Sequence, residues 1–102
     1  MKVPEKVDRI LKEFGMSSTA RICYWYLAKH EHSTATTIAE ATGLSRTQVY
    51  PALKQLQTKG FVHSFKTNLG GPTYFSGNHA EQAINNYIYR LKSLALELDL
   101  LY

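Results

Sequence analysis

Between Thr34 and Gly60 the chain sets a short helical pattern directly before a longer one, and no other segment narrows the possible folds as far. ATTIAEAT (35–42) follows Thr34, whose hydroxyl can cap a helix, and ends at Gly43, which can adopt the positive φ of a helix stop. The inward face of this helix would be Ile38 and Ala39. Leu44 plugs the turn that follows, and Ser45 with Gln48 has the spacing of a capping box. Behind that cap Val49, Ala52, Leu53 and Leu56 share one apolar stripe, which ends at Gly60. This is the spacing of a helix-turn-helix, in which the first helix braces the second, here 45–59, against a DNA major groove.

Pro51 interrupts an otherwise regular second helix. It lacks the N–H that would bond the Thr47 carbonyl, a loss of about 3 kcal/mol in a helix interior. Two placements accommodate it. The helix can run through Pro51, confining the disturbance to the leading tip, or it can begin there, since proline suits a first helical position.

Upstream, residues 4–14 read as a helix opened by Pro4, with Val7, Ile10, Leu11 and Phe14 on one stripe before Gly15. Ser17 or Ser18 caps a second helix to about Ala28, and HEHS (30–33) reads as a turn. Downstream, FVHSFKT (61–67) alternates as a half-buried strand does, NLGGP (68–72) is a flexible turn and TYFS (73–76) is the returning strand. Such a hairpin after a helix-turn-helix is a wing. Asn78 and Glu81 offer another capping box ahead of a helix running to the C-terminus. The pattern predicts an α+β, mostly helical fold with one domain over 1–102. A winged helix-turn-helix core occupies 14–76, preceded by an N-terminal helix and followed by a dimerisation helix at 78–102.

Net charge is +4, with the excess centred on 35–76, where Arg46, Lys54, Lys59 and Lys66 stand against a single acid, Glu40. An anionic partner follows. With Ser45 as cap, Arg46, Thr47, Gln48, Tyr50 and Lys54 face outward or lie on the leading turn of the second helix. Arginine suits guanine O6 and N7, and glutamine suits adenine N6 and N7. Thr47 can reach a phosphate or a thymine methyl, while Tyr50 and Lys54 reach phosphates. Thr34, Thr36 and Ser45 complete the expected contacts, with Lys66, Asn68 and Tyr74 from the wing. The wing has no arginine to read a narrow minor groove, so its contribution is affinity more than specificity.

The last helix carries Ile84, Ile88, Leu91, Ala95 and Leu98 at alternating steps of four and three, the seam of a two-helix coiled coil. Tyr87, Leu94 and Leu101 broaden its apolar face. That is too much apolar surface for one side of a small domain. The pattern predicts a homodimer whose two recognition helices stand about 34 Å apart on a pseudo-palindromic duplex. The alternative is a helix folded back on the first two.

Enzyme and metal chemistry find no support. No nucleophile–base pair, paired carboxylates or phosphate-cradling loop is present, and no cofactor or metal is expected. A lone Cys23 permits no internal disulfide, and the His30/His32 pair lacks the cysteine spacings of a metal site. No apolar run has the length of a membrane span and the N-terminus lacks a signal core, which predicts a cytoplasmic protein.

TATTIAEATGLSRTQVYPALKQLQTKGFV resembles the winged helix-turn-helix regulators of the TrmB and PadR groups. Ile38, Ala39, Glu40, Gly43, Arg46, Val49, Tyr50, Leu53, Leu56 and Gly60 match the TrmB-like pattern. Tyr50 to Leu53 and Gly71-Pro72-Thr73-Tyr74 are similar to PadR-like runs. Over roughly 14–76 the resemblance implies a DNA-binding transcriptional regulator. It also implies that a full-length TrmB-like regulator carries a sugar-binding effector domain, for which 102 residues leave no room. The rival reading is a winged helix serving protein contact in a transcription complex, which would favour an acidic or apolar face where this one is basic and polar. Structured RNA would call for stacking aromatics on the strands, here Phe65, Tyr74 and Phe75.

Overall fold

Helix starts fall where the sequence supplies caps. The computed structural model describes residues 2–101; Met1 and Tyr102, the ends of the predicted domain and of its last helix, lie outside them. In chain order the elements are α1 (Glu5–Glu13), α2 (Ser18–Lys29), β1 (Ser33–Thr34), α3 (Ala35–Thr42), α4 (Arg46–Thr58), β2 (Val62–Phe65), β3 (Tyr74–Gly77) and α5 (Ala80–Leu100). The Ser17, Thr34 and Ser45 hydroxyls accept from the amides of Ala20, Thr37 and Gln48, satisfying N–H groups the helices would otherwise leave unpaired. At Ser45 the box is complete, because the Gln48 side chain accepts from the Ser45 N–H. Gly43 ends α3 at φ +78°, the left-handed turn that lets α4 leave at once.

α4 runs unbroken through Pro51, so it does not begin there. The proline is exposed and its neighbours Val49, Ala52 and Leu53 are buried, which keeps the defect on the solvent side. α2 packs chiefly on α4, and α3 braces both. Ile38, Val49, Leu53, Leu56 and Phe61 are sealed in the core between them. Each such side chain contributes roughly 1.5–3 kcal/mol of burial. Thr42, also buried, satisfies its hydroxyl on the Ile38 carbonyl at 2.6 Å. Asp8 and Arg21, 2.6 Å apart, tie α1 to α2.

Several expectations are corrected. Pro4 is the N-cap residue of α1 and not its first helical residue, and Ile10 is exposed while Leu11 alone of that stripe is fully buried. The turn predicted at HEHS ends in a strand, β1, which pairs antiparallel with β3 and gives a three-stranded sheet ordered β1-β3-β2. Phe61 precedes β2 and both it and Val62 are buried, so strict alternation fails where the chain leaves α4. The Asn78–Glu81 capping box does not form, and His79 holds the N-cap position of α5 without a side-chain bond. Asn78 is committed elsewhere: its Nδ2 donates to the Gly60 carbonyl and its Oδ1 accepts from His63 Nδ1.

Candidate nucleic-acid interface

The apolar stripe of α4 faces the core and leaves Arg46, Thr47, Gln48, Tyr50 and Lys54 exposed on the other side. Arg46 and Tyr50, one turn apart, meet: Arg46 Nη2 donates to the Tyr50 hydroxyl at 2.8 Å, and the guanidinium lies 5.5 Å from the ring centroid. One of five guanidinium donors is used there, so a fork remains for a guanine edge. Gln48 is less free. Its Oε1 accepts from the Ser45 amide at 3.0 Å, leaving Nε2 as its available donor.

Thr34, Thr36, Arg46 and Tyr50 line a single cleft of about 300 Å³, closed opposite by Pro72 and Thr73 of the wing. Arg46 and Tyr50 of α4 and the opening of α3 are thereby brought together with the wing. Thr34 is half-buried and spends its oxygen on the Thr37 amide, whereas Thr36 is open. Lys66 and Asn68 are exposed in the loop between β2 and β3. Tyr74 points elsewhere, because strand neighbours alternate and Phe75 lines the cleft and the core. The Tyr74 ring instead stacks on Phe65 at 5.7 Å, with the His32 ring edge-on at 5.0 Å. Phe75, 7% exposed, has no face left for a base. Ala35, Pro72 and Thr73 line the cleft although none was expected to touch DNA; for Pro72 and Thr73 the PadR-like run Gly71-Pro72-Thr73-Tyr74 of the wing was the available signal.

α5 divides in two. Ala83 is buried, Ile84 packs against the core, and the Tyr87 ring meets Phe14 edge-on at 5.6 Å. Beyond them Ile88, Leu91, Leu94 and Leu98 are 42–57% exposed and Leu101 79%, and Ala95 is exposed too. Of the eight residues expected at the dimer face, Ile84 and Tyr87 are thus used to anchor the helix and the other six stand open, and the helix is not folded back along α1 and α2.

A family profile described as sugar-specific transcriptional regulator TrmB matches residues 11–94, reaching from α1 into α5. The chain belongs to the TrmB family. Solved structures repeat the fold of this TrmB-family chain. TrmBL2, described as an archaeal chromatin protein with a novel mode of DNA binding, matches 93% of it with a TM-score of 0.75 at 17% identity. The chain spans 36% of the TrmBL2 chain. A possible transcriptional regulator of Methanosarcina mazei Go1 matches with a TM-score of 0.70 at 16% identity, over 96% of this chain and 86% of its own. The Zalpha domain of Carassius auratus PKZ in complex with Z-DNA matches with a TM-score of 0.51 at 25% identity, over 63% of this chain and 98% of its own. No curated relative matches the sequence. The first two likenesses establish a winged-helix fold, as the resemblance to TrmB regulators implied.

The groups weighed for metal chemistry in this TrmB-family chain are dispersed. His30 bonds the Tyr26 carbonyl and stacks on its ring, while His32 packs on the sheet aromatics. Cys23 is buried in α2, and burial pushes its thiol up to about 11. Among the described residues no three His, Cys, Asp or Glu gather as a metal site, and no helix is long and apolar enough to cross a membrane.

Proposed function

We propose that this TrmB-family chain is a cytoplasmic, non-enzymatic transcriptional regulator that binds double-stranded DNA with sequence specificity as a homodimer. The observation that carries the reading is the exposed face of α4, where Arg46 and Lys54 stand among polar side chains and Arg46 opens onto a cleft shared with the wing. α4 lies in the major groove, with Arg46 on a guanine and Gln48 donating through Nε2 to a base acceptor. Thr47, Tyr50, Lys54, Ser45, Thr34 and Thr36 contact the backbone, and the wing 61–76 follows the backbone or minor groove through Lys66 and Asn68. Tyr74 supports the wing from its far face. The open half of α5, Ile88 to Leu101, pairs with its mate, and a two-fold pair meets a pseudo-palindromic site. The description of TrmBL2 as a DNA-binding chromatin protein accords with a duplex partner.

Binding to a duplex measured across salt concentrations tests this. Three cations per protomer, Arg46, Lys54 and Lys66, give a log–log slope of about −5 for a dimer. Lys54→Ala should weaken all duplexes alike and make the slope about 2 shallower, whereas Arg46→Ala should cost about 1–3 kcal/mol and relax one position per half-site. A flat salt response would contradict the reading.

A further inference from the structure

The C-terminal carbonyls of α4 are all accounted for, and one of them in an unexpected way. Gln55, Leu56 and Gln57 O accept from the amides of Lys59, Phe61 and Gly60. The remaining one, Thr58 O, accepts at 2.8 Å from Arg90 Nη1, a side chain of α5. The last turn of α4 has no basic residue of its own, so Arg90 also supplies the positive charge that this negative dipole end favours. Lys59, the C-cap residue, turns its Nζ away, to 5.2 Å from the Tyr87 ring centroid.

We infer that Arg90 is a positioning residue that fixes the angle between the recognition helix and the dimerisation helix, and so sets the separation of the two recognition helices; this rests on the homodimeric DNA-binding reading above. Asn78, two residues before α5, ties the foot of the helix to Gly60, Phe61 and His63 by hydrogen bonds, but within α5 itself the attachments upstream of Arg90, through Ala83, Ile84 and the Tyr87 ring, are apolar or aromatic and only weakly directional. Arg90 makes a directed hydrogen bond, and every residue of α5 beyond it is exposed. The junction therefore acts as a fulcrum. From Thr58 back to Arg46, α4 is about 18 Å long at 1.5 Å per residue. A pivot of about 10° at Thr58 moves the reading tip by roughly 3 Å, and two-fold symmetry can double that. One base pair rises about 3.4 Å, so this much play would blur the half-site spacing by a base pair or more.

The test is the distance between the two α4 helices in the DNA-free dimer, read by pulsed electron spin resonance from a nitroxide on Lys54→Cys. Cys23, buried with its thiol protonated, stays unlabelled. The parent protein should show one narrow distribution, Arg90→Ala one about twofold broader or more, and Arg90→Lys, which retains a donor and a charge, should restore the narrow form. Sedimentation of each variant checks that it is dimeric. An unchanged width in a dimeric Arg90→Ala overturns the role of Arg90 while leaving the DNA-binding homodimer intact. A parent protein without dipolar coupling, sedimenting as a monomer, overturns the homodimer and the inference with it.

Discussion

The Gln48 side-chain carbonyl sits on the Ser45 amide, so a residue suited to adenine is already engaged in holding the start of its own helix. The two roles can be separated. Gln48→Ala should lower folding stability by about 1 kcal/mol, as loss of a capping partner does, measured as a shift in urea midpoint. Gln48→Glu keeps the acceptor at the third helical position and should keep the stability, yet remove the donor and set a negative charge toward DNA. Equal stability loss in both variants would contradict the box. Cys23 makes a different claim. Burial raises its thiol from 9.0 to about 11, and burial also raises Tyr24. Below pH 9 folded and unfolded chains both hold the thiol proton. Above it the unfolded chain releases a proton that the folded chain keeps, so stability falls as pH rises toward 11. Urea midpoints between about pH 8 and about pH 10.5 should decline, and Cys23→Ala should flatten part of the decline, with Tyr24 carrying the rest.

At the scale of elements, α4 bears a cost at Pro51, which removes the donor to the Thr47 carbonyl on the solvent side of the helix. Pro51→Ala should stabilise the fold by about 1–2 kcal/mol, less than the full penalty because proline also restricts the unfolded chain. If the proline serves recognition by stiffening the tip, the same variant should bind duplex DNA less tightly; unchanged affinity would assign it no such task. Helix starts and stops were legible in the sequence because their causes lie within three or four residues, as at Thr34, Gly43 and Ser45. β1 was not, since two residues form a strand only by pairing with Phe75 and Tyr74, some forty positions later. Asn78 misled for the same reason. It fits a cap by local spacing, but its polar atoms are taken by Gly60 and His63, which only the fold brings near. The outward face of α4 could be read from its stripe. The side of the wing on which Tyr74 falls depended on sheet register, and the Arg90 contact with Thr58 crosses 32 positions that no local pattern reports.

For the whole molecule, the winged-helix body buries its own core, while the far half of α5 leaves leucines to solvent on the scale of a partner helix. A run of exposed apolar side chains along one helix is the kind of surface that marks an interaction site. In the proposed homodimer, α5 pairing with its mate would cover that face and give the two recognition helices a fixed relation, as a two-fold site requires. Selection of bound duplexes from a random-sequence pool by the full chain puts the proposed DNA-binding homodimer to the test. A two-fold dimer should enrich an inverted repeat whose half-sites are spaced by about one helical turn of 10–10.5 base pairs. A pool with no enriched motif, or one enriched only in isolated half-sites, would contradict it.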